Sequence, residues 1–100
     1  MCPMYLPPKI KILNEDWKVK VVDQEAWGLC DYNNTTITLF EGLTDERKIE
    51  TLLHEIIHVL VYKLYLKPLL GANEERVVDN LGVGLRTVFK DNNKLKECLF

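Results

Sequence analysis

The residues with the clearest capacity for chemistry are His54, Glu55 and His58, spaced as H-E-x-x-H inside Thr51-Leu52-Leu53-His54-Glu55-Ile56-Ile57-His58-Val59-Leu60. On an α-helix, residues four apart share a face about one turn from each other. His54 and His58 can therefore turn two imidazole nitrogens toward one Zn²⁺ and leave its other positions open. Glu55 falls on the flank of that face. There its carboxylate can take a proton from water polarised by the metal and pass it to a leaving amine.

The surroundings favour a metal over an accidental match. Ile49, Leu52, Leu53, Ile56, Ile57, Val59, Leu60, Val61 and Leu64 make the segment apolar nearly all round, as in a buried helix. Buried polar groups need partners, and one cation would satisfy both histidines. Thr44 is a suitable N-cap, with Asp45 and Glu46 in the first turn where acids complement the helix dipole. The helix is expected from about residue 45 to about residue 66, with Lys67-Pro68 as its stop.

Catalytic zinc usually has three protein ligands, and the chain has only two histidines, so the third must be of another type. Asn73 is a candidate N-cap for a second helix reaching roughly to Phe89, with Val78, Leu81, Leu85 and Val88 or Phe89 at helical spacing. Glu75 in its first turn follows His58 by enough chain for a helix end, a turn and a new start. Glu74 competes for the ligand role, and Cys30 competes more weakly as a strand thiol suited to the core. Either glutamate could equally be a first-turn acid serving only the helix dipole. Asp79 shares the face of Glu75 and could accept the spare ring N–H of a ligating histidine. Gly82 on that face would let the two helices approach closely, and Arg86 could pair with Asp79 or simply lie at the surface. Tyr62 and Tyr65 fall on the histidine side of the first helix, where a hydroxyl could steady an oxyanion or the rings could be ordinary core or rim.

The N-terminal half supplies the strands that would support this helix. Residues 1–8 hold three of the four prolines and read as extended. Lys9–Leu13 alternates, Asn14-Glu15-Asp16 reads as a turn, and Trp17, Val19 and Val21 share a face opposite the lysines. Residues 28–32 and 35–40 read as a hairpin about Asn33-Asn34, residues that tolerate positive φ. The second hairpin strand, with Ile37 and Leu39 on one face, would either align an extended peptide across the metal or merely cover the core. The fold class expected is α+β: a small, mainly antiparallel sheet packed on the helix bearing H-E-x-x-H, plus a second helix bearing the third ligand.

Composition sets the bounds. One hundred residues make a single domain, 1–100, and 47% apolar with 28% charged residues is ordinary for a globular chain. A net charge of −2 gives no basic footprint for nucleic acid or an anionic membrane. Cys2, Cys30 and Cys98 are odd in number and contain no C-x-x-C, which fits reduced thiols in a cytoplasmic protein. There is neither a signal-peptide pattern nor an apolar run of the ~18 residues that would span a bilayer.

Thr51–His58, taken with Glu75-Arg76-Val77-Val78-Asp79-Asn80-Leu81-Gly82, resembles the ImmA/IrrE-type metallopeptidases, small zinc-peptidase domains of phages, mobile elements and bacteria. The E-x-x-x-[DN] placement after H-E-x-x-H is also similar to the gluzincin pattern. The resemblance covers residues 44–89 and, more loosely, the preceding hairpin. It implies zinc held by His54, His58 and Glu75, Glu55 as general acid/base, and a protein or peptide substrate such as a regulatory protein. Two departures stand out: Val78 occupies a position often small in the family, and no helix-turn-helix partner or long C-terminal extension is read here. Three rival expectations remain: a catalytically inactive zinc-binding or regulatory protein of zincin-like fold, a metal-free interaction module, and a SprT-like protease. The last is usually tied to DNA, for which this chain lacks the basic balance and the zinc ribbon.

Overall fold

Alternating residues put one face of each early strand under a helix and leave the other in water. The computed structural model describes residues 6–99. Strands β1 (Lys9–Ile12), β2 (Glu15–Val22), β3 (Gly28–Asp31) and β4 (Thr36–Phe40) come first. Helices α1 (Asp45–Lys63), α2 (Lys67–Leu70), α3 (Glu74–Asp91) and α4 (Asn93–Leu99) follow, with a 3-10 turn at Gly71–Asn73. The class is α+β. Residues 1–5 of the expected extended N-terminal segment, and Phe100, lie outside the described residues.

The sheet order is β1-β2-β4-β3, and β2 runs parallel to β4 while the two outer pairings are antiparallel. The sheet is therefore mixed. After β2 the chain passes over one strand position, lays β3 at the edge, and returns through a hairpin to fill the gap with β4. Val19 pairs with Ile37 and Val21 with Leu39, which aligns the apolar positions of the two central strands. Trp17, Val19, Ile37 and Leu39 are buried beneath α1, whereas Val21 near the strand end is exposed.

Two turns differ from the expected ones. Ile12 pairs with Glu15, so Leu13-Asn14 is the two-residue loop and Glu15 and Asp16 already belong to β2. Leu13 and Asn14 both have positive φ (48° and 68°), the signature of a type I′ hairpin. In the β3–β4 hairpin the positive φ falls on Thr35 (45°) rather than on Asn33-Asn34. The Asp31 carboxylate takes over the turn, accepting from the backbone N–H of Asn33 and of Asn34, each at 3.1 Å.

Thr44 Oγ1 accepts from Arg47 N at 3.3 Å and caps α1 as its sequence suggests. The other helix signals resolve differently. α1 stops at Lys63, and Tyr65 adopts φ 57° just beyond it. Pro68 does not stop a helix but opens one, sitting in the first turn of α2 where a missing N–H costs nothing. Asn73 makes no side-chain cap, because the 3-10 turn runs directly into α3 in helical backbone. The short C-terminal segment forms α4.

One face of α1 packs on the sheet, where Leu52 and Val59 join Ile12, Trp17, Val19, Ile37 and Leu39. Its other face meets α3 through a smaller cluster of Ile57, Val61 and Val78. Lys63 Nζ donates to Glu15 Oε1 at 2.9 Å and pins the end of α1 to β2. Among the described residues, no helix is long and apolar enough to cross a membrane.

Candidate metal centre

Helical pitch alone sets the first part of the site. His54 and His58 stack one turn apart on α1, with ring centroids 4.8 Å apart and Nε2 atoms at 3.1 Å. α3 brings its N-terminal turn across them. Glu75 Oε1 lies 2.8 Å from His54 Nε2, and Glu75 Oε2 lies 3.0 Å from His58 Nε2. These three residues form a group close enough to hold a metal ion.

The opposite ring nitrogens are also engaged. His54 Nδ1 is 2.9 Å from Asp79 Oδ1, and His58 Nδ1 is 2.7 Å from Glu74 Oε2. Carboxylate oxygens accept, so each Nδ1 carries the hydrogen and donates it. In the neutral tautomer this leaves both Nε2 lone pairs facing each other and facing the Glu75 oxygens. In that tautomer a cation among the acceptors would satisfy them, as ring protons on Nε2 would. Tetrahedral zinc with bonds of about 2.0–2.2 Å would set its ligand atoms roughly 3.3 Å apart. The observed separations are slightly tighter, and the two-nitrogen, one-oxygen donor set with oriented histidines suits such an ion.

The alternatives left open by the sequence thus separate in space. Glu75 reaches the converging nitrogens, while its neighbour Glu74 grips His58 from the far side of the ring. Hydrogen bonds to His58 and Lys67 outweigh the effect of burial and hold the Glu74 carboxyl below its usual range. Cys30 is outside the ligand group; its Sγ donates to Glu55 Oε2 at 3.5 Å. Arg86 approaches Glu50 at 4.0 Å rather than Asp79.

Glu55 is 7% exposed and lines the same cleft as the histidines. Burial pushes its carboxyl above the ordinary range, and the nearby His58 and His54 only partly offset that. β3 comes very close to it. A Cβ on Gly28 would meet Thr51 Cγ2 at 2.6 Å and Glu55 Cγ at 3.0 Å, so only glycine fits. Gly82 does face α1, but a methyl there would lie 3.8 Å from Ile57 Cδ1 and 3.9 Å from the His54 Cα. That is ordinary contact, and the helix separation does not demand glycine.

Neither tyrosine on the helix reaches the cleft. Tyr62 stacks on Tyr32 with centroids 4.4 Å apart, and Tyr65, beyond the helix end, is 85% exposed. Both line a separate depression with Lys63, Lys67 and Pro68, because α1 ends before it could carry Tyr65 round to the histidine face. Tyr32 is the tyrosine closer to the chemistry. Its hydroxyl is held well above the usual range, first by burial and then by Cys30, Glu55 and Glu74. Sequence reasoning passed over Tyr32 and the Gly28 contact, since both depend on which strand lies beside α1.

The cleft, of about 380 Å³, continues from the triad along α1 past Thr51 to Trp27 and Arg47. Comparison with protein-family models, with curated proteins and with solved structures gives no match.

Proposed function

We propose that the chain is a zinc-dependent metallopeptidase acting on a protein or peptide substrate. One observation carries this reading. Two histidine Nε2 atoms and the Glu75 carboxylate converge within about a ligand spacing, beside a buried carboxylate that is not among them. His54, His58 and Glu75 would hold the ion. When bound, zinc supplies the Lewis acidity that makes water nucleophilic near neutral pH and polarises a scissile carbonyl.

The remaining work belongs to the chain's own groups. Glu55 takes the proton of the attacking water and delivers it to the departing amine nitrogen. Burial raises its carboxyl above the ordinary range, the direction that favours a group that both accepts and returns a proton. Asp79 and Glu74 fix the two ring orientations. The alignment of substrate falls to β3, a change from the expected strand. β4 is paired on both sides, whereas the outer edge of β3 has no strand partner among the described residues and can add an extended peptide.

The test combines metal content with turnover. Protein purified without chelators is expected to carry about one zinc per chain by mass spectrometry, and Glu75→Ala to lose it. Glu55→Gln should keep the zinc and lose at least about 100-fold in peptide hydrolysis. Wild type that takes up no zinc on addition would overturn the proposal. Zinc-loaded wild type no faster than Glu55→Gln across a broad peptide library would leave a binding protein with no catalysis.

A further inference from the structure

The cleft changes character along its length. Its histidine end is rich in carboxylates, but Glu75 and Asp79 are engaged by the histidines and Glu55 is buried against β3. At the other end Arg47 is the one cation among the described residues lining the cleft, and it is paired with Glu50 at 3.5 Å. What stands open there is apolar. Trp27 and Val83 both line the cleft and are 54% and 66% exposed.

Their placement follows from the two elements that flank α1. Gly28 of β3 lies against Thr51 and Glu55, so its neighbour Trp27 falls beside the turn of α1 before the histidines. There the Arg47 guanidinium carbon lies 5.6 Å from the centre of the Trp27 ring and braces it. On the other side α3 runs antiparallel to α1: Asp79 meets His54, Gly82 faces the His54 backbone, and Arg86 approaches Glu50. Val83 is therefore level with the Glu50–Thr51 turn as well. We infer that Trp27 and Val83 wall a subsite for a large apolar side chain, aromatic or leucine-like, of the peptide lying in the cleft. The inference deepens the peptidase reading and rests on the same cleft. An apolar occupant takes its own surface and both walls out of water together, whereas a charged one would compete for the Arg47–Glu50 pair or go unpaired.

The free edge of β3 sets the register. Phe40 N donates to Trp27 O at 2.9 Å, so in the antiparallel ladder Trp27, Leu29 and Asp31 turn their backbone groups to β4. Gly28 and Cys30 turn theirs outward. An added peptide strand pairs with those two residues, and residues opposite each other share a face. Cys30 points its Sγ at Glu55, so the peptide residue opposite Cys30 lies beside the proposed proton carrier. The residue opposite Gly28 is two positions away and turns its side chain toward Thr51, into the space between Trp27 and Val83. Helical geometry agrees. Thr51 precedes the middle of the His54–His58 pair by about 7 Å along α1, roughly two residues of extended chain.

Binding and turnover test this separately. Zinc-loaded Glu55→Gln protein is titrated with capped, dye-labelled alanine–serine peptides carrying one central Phe, Leu, Ala, Lys or Glu, with fluorescence anisotropy as readout. Phe and Leu should bind about tenfold more tightly than Ala, Lys or Glu, and raising salt should leave that margin in place. Adding Val83→Asp or Trp27→Ala to that protein should each reduce the margin to about twofold or less, with far-ultraviolet circular dichroism confirming the fold. In zinc-loaded wild type the cut should fall about two residues from the Phe. Equal binding of Phe and Ala peptides, tighter binding of Lys or Glu, or a margin that survives both substitutions would overturn the inference. If the margin is present and lost in both variants but wild type cuts none of the peptides, the apolar subsite stands and the peptidase reading falls. If wild type cuts without regard to the central residue, the peptidase reading stands and the subsite falls.

Discussion

The two long faces of α1 hold the molecule together by different means. Toward the sheet, α1 joins a contiguous apolar cluster in which Trp17, Ile37, Leu39 and Val59 are almost wholly buried. Toward α3, the buried apolar contact shrinks to Ile57, Val61 and Val78, with partly buried Leu53, Leu66 and Leu70 packed around it, and histidines and carboxylates lie beside it. α3 meanwhile leaves Leu81, Val83, Leu85 and Val88 partly exposed to water. The sheet side is stabilised chiefly by burial, with the Lys63–Glu15 pair at one end. The α3 side is stabilised in part by whatever satisfies the His54–His58–Glu75 cluster, so its strength should depend on metal while that of the sheet side does not.

That contrast can be broken at its strong side first. Leu39→Ala opens a cavity in the sheet-side core and should cost about 2–5 kcal/mol, with strand and helix signals lost together in urea unfolding. If zinc restored that loss specifically, the two faces would not be independent. Next in size is the metal itself. Zinc at about a hundredfold over its dissociation constant should add roughly 2.7 kcal/mol of apparent stability. Hydrogen exchange should then show the slowed amides concentrated in α3 below the global unfolding limit; equal slowing in β2 and β4 would sink the distinction.

Smaller effects sharpen the picture. Removing either orienting carboxylate, by Glu74→Ala or Asp79→Ala, should weaken zinc binding about 10- to 100-fold, measured by competition with a chromophoric chelator. Unchanged affinity in both would show that the ring orientations are fixed by packing alone. The smallest effect concerns Glu55. Its carboxyl binds a proton more tightly in the fold than in the unfolded chain, so its ionised form destabilises the fold. That cost is fully present above the raised folded-state pKa and disappears as pH falls below the ordinary carboxylate value. In chelator, Glu55→Gln should therefore raise Tm at pH 7 by about 2–4 °C, with the gain fading toward acid. No gain at neutral pH would mean that Glu55 is better solvated than its burial implies.

The parts of this arrangement that follow from local spacing were readable in the sequence. His54, Glu55 and His58 owe their mutual placement to one helix, and Thr44 caps it as its type suggests. Glu75 and Asp79 share a face of α3 for the same reason, and both reach the histidines. What could not be read depends on partners distant in the chain. The parallel β2–β4 pairing leaves no mark in the alternation of either strand, so the edge position of β3 stayed hidden. With it went the Gly28–Glu55 contact and the roles of Cys30 and Tyr32. Glu74 and Glu75 looked like rivals for one position because adjacency along a helix does not say that a single imidazole can be held from both its nitrogens. Tyr65 leaves the histidine face because α1 ends at Lys63, and its own positive φ turns the chain away.

The connection between α1 and α3 has a consequence for how the molecule assembles. Residues 64–73 are all that separate the end of one helix from the start of the other. Closing so short a loop costs little entropy. The histidine pair exists as soon as α1 winds its central turns, before any strand need be in place. A nascent helix could thus capture an ion on two nitrogens, and Glu75 would then arrive along a short tether. On that route a bound ion would act as a clasp that closes the hairpin.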